Sequence, residues 1–235
     1  MLNTKGKMRR RLTLMGLSML GLVALLIVSL LAGWLPWLGF ASAETGYEHA
    51  NLGVSSDKEP AAADYDGGGY SYSREALAKA GVTLTSPWQF QGLSFKWMDL
   101  QHKADNLLSA GQTLPITIDG SVSTVGLIGS ATHGPSVGTI TLTYTDKSQQ
   151  RLTLAFNDWT LNGGKSSKVG YSNHVVARMG YRNSKTAPNH RQNVTTYLFE
   201  VELPLMQGKT LKSITLPARV SSGEQHIFAL GASAG

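Results

Sequence analysis

Residues 139–145 read Thr139-Ile140-Thr141-Leu142-Thr143-Tyr144-Thr145, and residues 150–156 read Gln150-Arg151-Leu152-Thr153-Leu154-Ala155-Phe156. Each run alternates. Ile140, Leu142 and Tyr144 share one face of the first, and Leu152, Leu154 and Phe156 share one face of the second. A period of two is the strand period. The connection Asp146-Lys147-Ser148-Gln149 is short and polar. The pair therefore predicts an antiparallel hairpin with one face on a core and one in water.

Similar runs extend outward from this hairpin. Leu93, Phe95 and Trp97 alternate with Ser94 and Lys96, and Leu114, Ile116 and Ile118 alternate with Pro115 and Thr117. Pro115 suggests that its strand lies at a sheet edge. Further strands are expected at 122–128, 175–181, 196–203, 211–216 and 226–230. One short helix is expected after Ser73: Ser73 caps it, Glu75 sits in its first turn and Gly81 ends it. Eight to ten strands with one short helix predict an all-β fold, a jelly-roll-type sandwich of two antiparallel sheets. A parallel α/β fold is disfavoured because no crossover helices are present.

The chain holds 21 Lys+Arg against 15 Asp+Glu. Five of those bases (Lys5, Lys7, Arg9, Arg10, Arg11) lie in residues 1–43, which hold no acid. The remainder is almost neutral, with 16 bases against 15 acids. Nucleic-acid binders cluster Lys and Arg on phosphates, so nucleic acid is not an expected partner. With no cysteine, disulfides, thiolate nucleophiles and Cys-ligated metals are excluded. Residues 12–40 carry no charge and are followed by Ala41-Ser42-Ala43. Two readings compete: a signal peptide cut after Ala43, or a retained hydrophobic helix long enough to cross a membrane. Both place residues 44–235 outside the cytoplasm. Residues 44–63 read as a lead-in segment, and residues 64–235 as one sandwich domain.

No motif carries catalysis with force. Gly134-Pro135-Ser136-Val137-Gly138 matches the serine-hydrolase string, but a strand follows where the mechanism needs a helix. Asp64-Tyr65-Asp66-Gly67-Gly68-Gly69-Tyr70 offers carboxylates to a structural calcium ion, although a glycine-rich turn is the simpler reading. No other cofactor is expected. No spacing selects a pair among Asp99, Asp105, Asp119, Asp158, Glu200 and Glu202 for glycosidase chemistry. The six histidines form no metal motif. Aromatic side chains that could stack on sugar rings include Tyr70, Tyr72, Trp88, Trp159, Tyr171 and Tyr181.

Several strings occur in order: Asp64 to Ser73 (DYDGGGYSYS), Gly92 to Trp97 (GLSFKW), Asp105 to Gln112 (DNLLSAGQ), Leu127 to Gly134 (LIGSATHG), Phe156-Asn157-Asp158-Trp159, Tyr181-Arg182-Asn183 and His226-Ile227-Phe228-Ala229. Together they resemble the galactose-binding-like β-sandwich accessory domain appended to secreted bacterial glycoside hydrolases. The resemblance runs from about Tyr47 to the C-terminus. It implies an accessory, non-catalytic domain that touches carbohydrate.

The expectation is thus an exported binding module, secreted or membrane-tethered. Its ligand-binding residues are Asp66, Tyr70, Asn106, Trp159, Tyr181, Arg182 and His226. Asp66 and Asn106 would bond hydroxyls, Trp159 and Tyr181 would stack, and Arg182 and His226 would bridge polar groups. The rival readings are an envelope protein–protein module and a stand-alone glycoside hydrolase or esterase.

Overall fold

The computed structural model describes residues 49–235, apart from 99, 101–103, 119 and 234–235. These belong to the compact unit Pro36–Gly235. The expected targeting helix lies outside the described residues. Among the described residues, no helix is long and apolar enough to cross a membrane.

In chain order the strands are β1 (Ala50–Asn51), β2 (Val54–Ser55), β3 (Tyr70–Ser73), β4 (Trp88–Phe90), β5 (Leu93–Trp97), β6 (Asn106–Leu108), β7 (Thr113–Ile118) and β8 (Thr124–Thr132). They continue as β9 (Ser136–Tyr144), β10 (Gln149–Phe156), β11 (His174–Met179), β12 (Arg182–Ser184), β13 (Arg191–Gln192), β14 (Thr196–Pro204), β15 (Leu211–Thr215) and β16 (Glu224–Ser233). Helix α1 (Arg74–Lys79) follows β3, and the Ser73 hydroxyl accepts the Ala76 N–H at its start.

A large sheet runs β1-β6-β16-β8-β14-β11, with β5 on the far half of β16 and β4 on β5. A four-stranded sheet, β10-β9-β15-β7, faces it. The hairpin read from sequence is β9–β10, with Leu152 opposite Ile140 and Leu154 opposite Gly138. Pro115 does sit in an edge strand, β7, where its missing N–H breaks no ladder. Between the two sheets lies an apolar core that includes Ile116, Leu127, Ile140, Leu142, Phe156, Phe199, Ile214 and Ile227, all fully or almost fully buried.

The sequence reading predicted two sheets, and the structure adds an outer layer. A small sheet, β13-β12-β3-β2, and helix α1 accompany the second face of the large sheet. There Tyr65, Tyr72, Leu77, Phe95, Trp159, Leu198 and Phe228 form a second buried cluster. The lead-in segment of the sequence reading is therefore partly built into the domain. β1 pairs with β6, and β2 pairs in parallel with β3.

Candidate binding site

The site grows from the loop between Asp64 and Tyr70. Gly67 and Gly69 adopt φ of 68° and 83°, a region open to glycine at little cost. The turn lets the Asp66 Oδ1 atom accept the Gly68 N–H at 2.9 Å and the Tyr70 N–H at 3.3 Å. Asp66 Oδ2 faces Arg182 Nη1 at 3.5 Å. Asp64 accepts the Gly69 N–H at 3.0 Å and pairs with Lys185 at 3.1 Å. Backbone donors and two side-chain cations thus occupy the carboxylates considered for calcium, and the segment works as a turn.

Arg182 is clamped in place. Its Nε donates to Gln192 Oε1 at 2.7 Å, across the β12–β13 pair. Its guanidinium lies 3.5 Å from the Tyr70 ring centroid and 5.2 Å from that of Trp159, within cation–π range. Partial burial lowers its proton affinity, and the Asp66 charge opposes that shift.

Beneath this cation the rings of Tyr65, Tyr72 and Trp159 meet at centroid distances of 4.9 to 5.0 Å. Both tyrosine hydroxyls reach Ser130 Oγ, and Tyr72 donates to the Tyr197 carbonyl at 2.6 Å. One proton per hydroxyl orders this chain as Tyr65 to Ser130 to Tyr72 to the carbonyl. Burial raises both tyrosine pKa values, so the phenols stay protonated.

His226 packs on Tyr65, with the ring centroids 4.2 Å apart. Its Nδ1 lies 2.7 Å from Asn106 Oδ1. The Asn106 amide nitrogen faces the Asn51 carbonyl, Asn51 Oδ1 and Asp105 Oδ1, which are all acceptors. The amide orientation is therefore settled, and His226 Nδ1 must be the donor. Burial holds the His226 pKa below the usual imidazole value, so the ring is neutral and Nε2 keeps a lone pair. That atom is buried and makes no hydrogen bond. Its nearest ionic neighbour is Glu224 Oε2 at 3.6 Å, on a side chain 47% exposed.

The structure brings together Asp66, Tyr70, Trp159 and Arg182, and joins Asn106 and His226 to them through Tyr65. Trp159 is 2% exposed. Tyr65, Tyr72 and Arg182 surround it, so it supports the site from below and presents no open face for stacking. Tyr181 belongs to a different cluster. Its hydroxyl donates to Asp57 Oδ2 at 2.6 Å, and Arg191 lies 4.0 Å from its ring centroid. Sequence reasoning missed Glu224, although the spacing Glu224-x-His226 places both on one strand face. Tyr65 and Ser130 were also missed as members of this network. Ser136 is fully buried at the start of β9 and is followed by strand. It lacks the exposed turn-to-helix setting of a hydrolase nucleophile.

The covered central sheet and facing antiparallel sheet define a β-sandwich domain protein. The chain belongs to the AziU2-like beta-sandwich domain family, whose model matches residues 47–235. A search of curated proteins finds no match.

Proposed function

We propose that this chain is an exported, non-catalytic binding module that takes a carbohydrate at the cell surface. The observation that carries the reading is the solvent-accessible Glu224 carboxylate, backed by the buried, unpartnered His226 Nε2 behind it. Two acceptors 3.6 Å apart suit a hydroxyl donor, and sugars supply hydroxyls. Arg182 and Asp66 add a fixed cation and acceptor on the same aromatic bed. The resemblance to galactose-binding-like accessory sandwiches supports this ligand class and a jelly-roll arrangement. The basic, then uncharged, N-terminal stretch supports export.

A polar ligand also suits the surface better than a broad protein partner does. Among the described residues, the large apolar side chains that stand exposed are Tyr171 and Val175. Large contiguous apolar patches mark many protein-docking faces.

A glycan array probed with the full-length chain in detergent tests the reading. The expected result is binding of a neutral glycan, weakened at least tenfold by Glu224→Gln. Failure to bind any glycan, or a Glu224→Gln variant that binds as well as the parent, rejects it. Trp159→Ala is a poor probe because it would empty the core.

A further inference from the structure

A second group of polar side chains lies outside that site. His174 on β11 is the cross-strand partner of Glu200 on β14. Glu202 is two residues further along β14 and so projects from the same face. One donor atom from each of the three falls within 4.8 Å of the others. Among the described residues no other group of three such side chains converges in this way.

The Glu200 side chain is 0% exposed. One of its oxygens, Oε2, lies 2.9 Å from His174 Nδ1. The other, Oε1, is buried and has no hydrogen-bond partner. It lies 3.0 Å from the point where a Cβ on Gly126 would stand. Gly126 on β8 is the cross-strand partner of Glu202, so Oε1 is turned toward the row of the sheet that Glu202 occupies, on the side of β14 away from His174, where Leu93 and Phe95 side-chain atoms also come close. A buried carboxylate oxygen without a donor calls for a positive partner, and a second carboxylate beside it strengthens that demand. The His174 contact satisfies Oε2 only.

We propose that His174, Glu200 and Glu202 form a binding site for a divalent transition-metal ion of the zinc type. One imidazole nitrogen and two carboxylates suit such an ion, whereas calcium and magnesium favour all-oxygen sets. Ligand atoms about 2.1 Å from a tetrahedral ion stand about 3.4 Å apart. The exposed Glu202 side chain closes the remaining gap by a rotamer change. His174 is 43% exposed, which leaves the outer coordination positions to water. The site shares no residue with the Glu224–His226 pair, so it stands or falls separately from the carbohydrate reading.

The test uses untagged full-length chain, dialysed against chelator and titrated calorimetrically with zinc chloride, then with calcium and magnesium chloride. The expected result is one zinc ion per chain, bound at least tenfold more tightly than calcium or magnesium. Glu202→Gln and His174→Gln, at positions with solvent access, each weaken binding at least tenfold, while Glu224→Gln leaves it unchanged. Cobalt(II) should give a visible absorption band that both site variants lose. Absence of zinc binding, preference for calcium, or zinc binding insensitive to both site variants would overturn the proposal.

Discussion

At the residue scale, two adjacent side chains, Asp105 just before β6 and Asn106 at its start, tie the N-terminal end of the described chain to the large sheet. The two Asp105 oxygens accept the Gly53 and Val54 N–H groups, each at 2.9 Å, and Asn106 turns His226 into an Nδ1 donor. Burial pushes the Asp105 pKa up to about 6, against the pull of the Asn106, Gly53 and Val54 donors. A carboxyl raised in the folded state holds its proton after the unfolded chain has released it. Stability from this group is therefore greatest below about pH 4 and falls as pH rises to about 6. Asp105→Asn removes that dependence. The stability of the parent relative to the variant should drop by about 2 kcal/mol between pH 4 and 7 in urea unfolding. A difference independent of pH would contradict this role. Asn106 and His226 were both legible as candidate polar residues. Their pairing was not, because they stand 120 residues apart and local spacing carries no record of it.

At the element scale, legibility follows strand length. The β9–β10 hairpin shows three apolar residues on one face of each strand, enough to display a period of two. β1, β2 and β13 have two residues each, too few to display any period. The outer sheet is further disguised by polar burial: Ser55, Ser71, Asn183 and Ser184 are almost fully buried. The Ser55 and Ser71 hydroxyls meet at 2.7 Å, and Asn183 donates to Ser55 Oγ at 3.0 Å. Such residues read as loop in a sequence. β8 and β16 carry a clearer lesson. Their pairing shifts register between Ile227 and Ala229, where Gly129 faces Ile227. A Cβ on Gly129 would stand 2.3 Å from the His226 carbonyl oxygen and 2.9 Å from Phe156 Cζ. Backbone at that distance cannot yield without disturbing the ladder. Gly129→Ala is expected to cost about 3 kcal/mol and lower the melting temperature by about 6–12 °C. An unchanged melting temperature would show that β16 can move away.

At the scale of the whole molecule, the large sheet is covered on both faces, and one sequence run records this. Val125-Gly126-Leu127-Ile128-Gly129 contains no polar residue, as expected of a strand without a wet side. The outer layer is joined to that strand by the ordered hydroxyl chain from Tyr65 through Ser130 to Tyr72 and the Tyr197 carbonyl. Tyr72→Phe keeps the ring and removes the one group that links Ser130 to Tyr197. The buried Ser130 hydroxyl and the partly buried Tyr197 carbonyl then each lose a partner, at a cost of about 1–3 kcal/mol. The outer sheet has short strands and its own apolar cluster, features of a unit that can open before the rest. Hydrogen exchange should therefore accelerate in β3 and β12 of the Tyr72→Phe variant, while the amides of β9 and β10 keep their protection. Equal acceleration in all these strands would mean that the three layers unfold together. Arg182 and Tyr70 would then sit on a platform as stable as the inner sandwich.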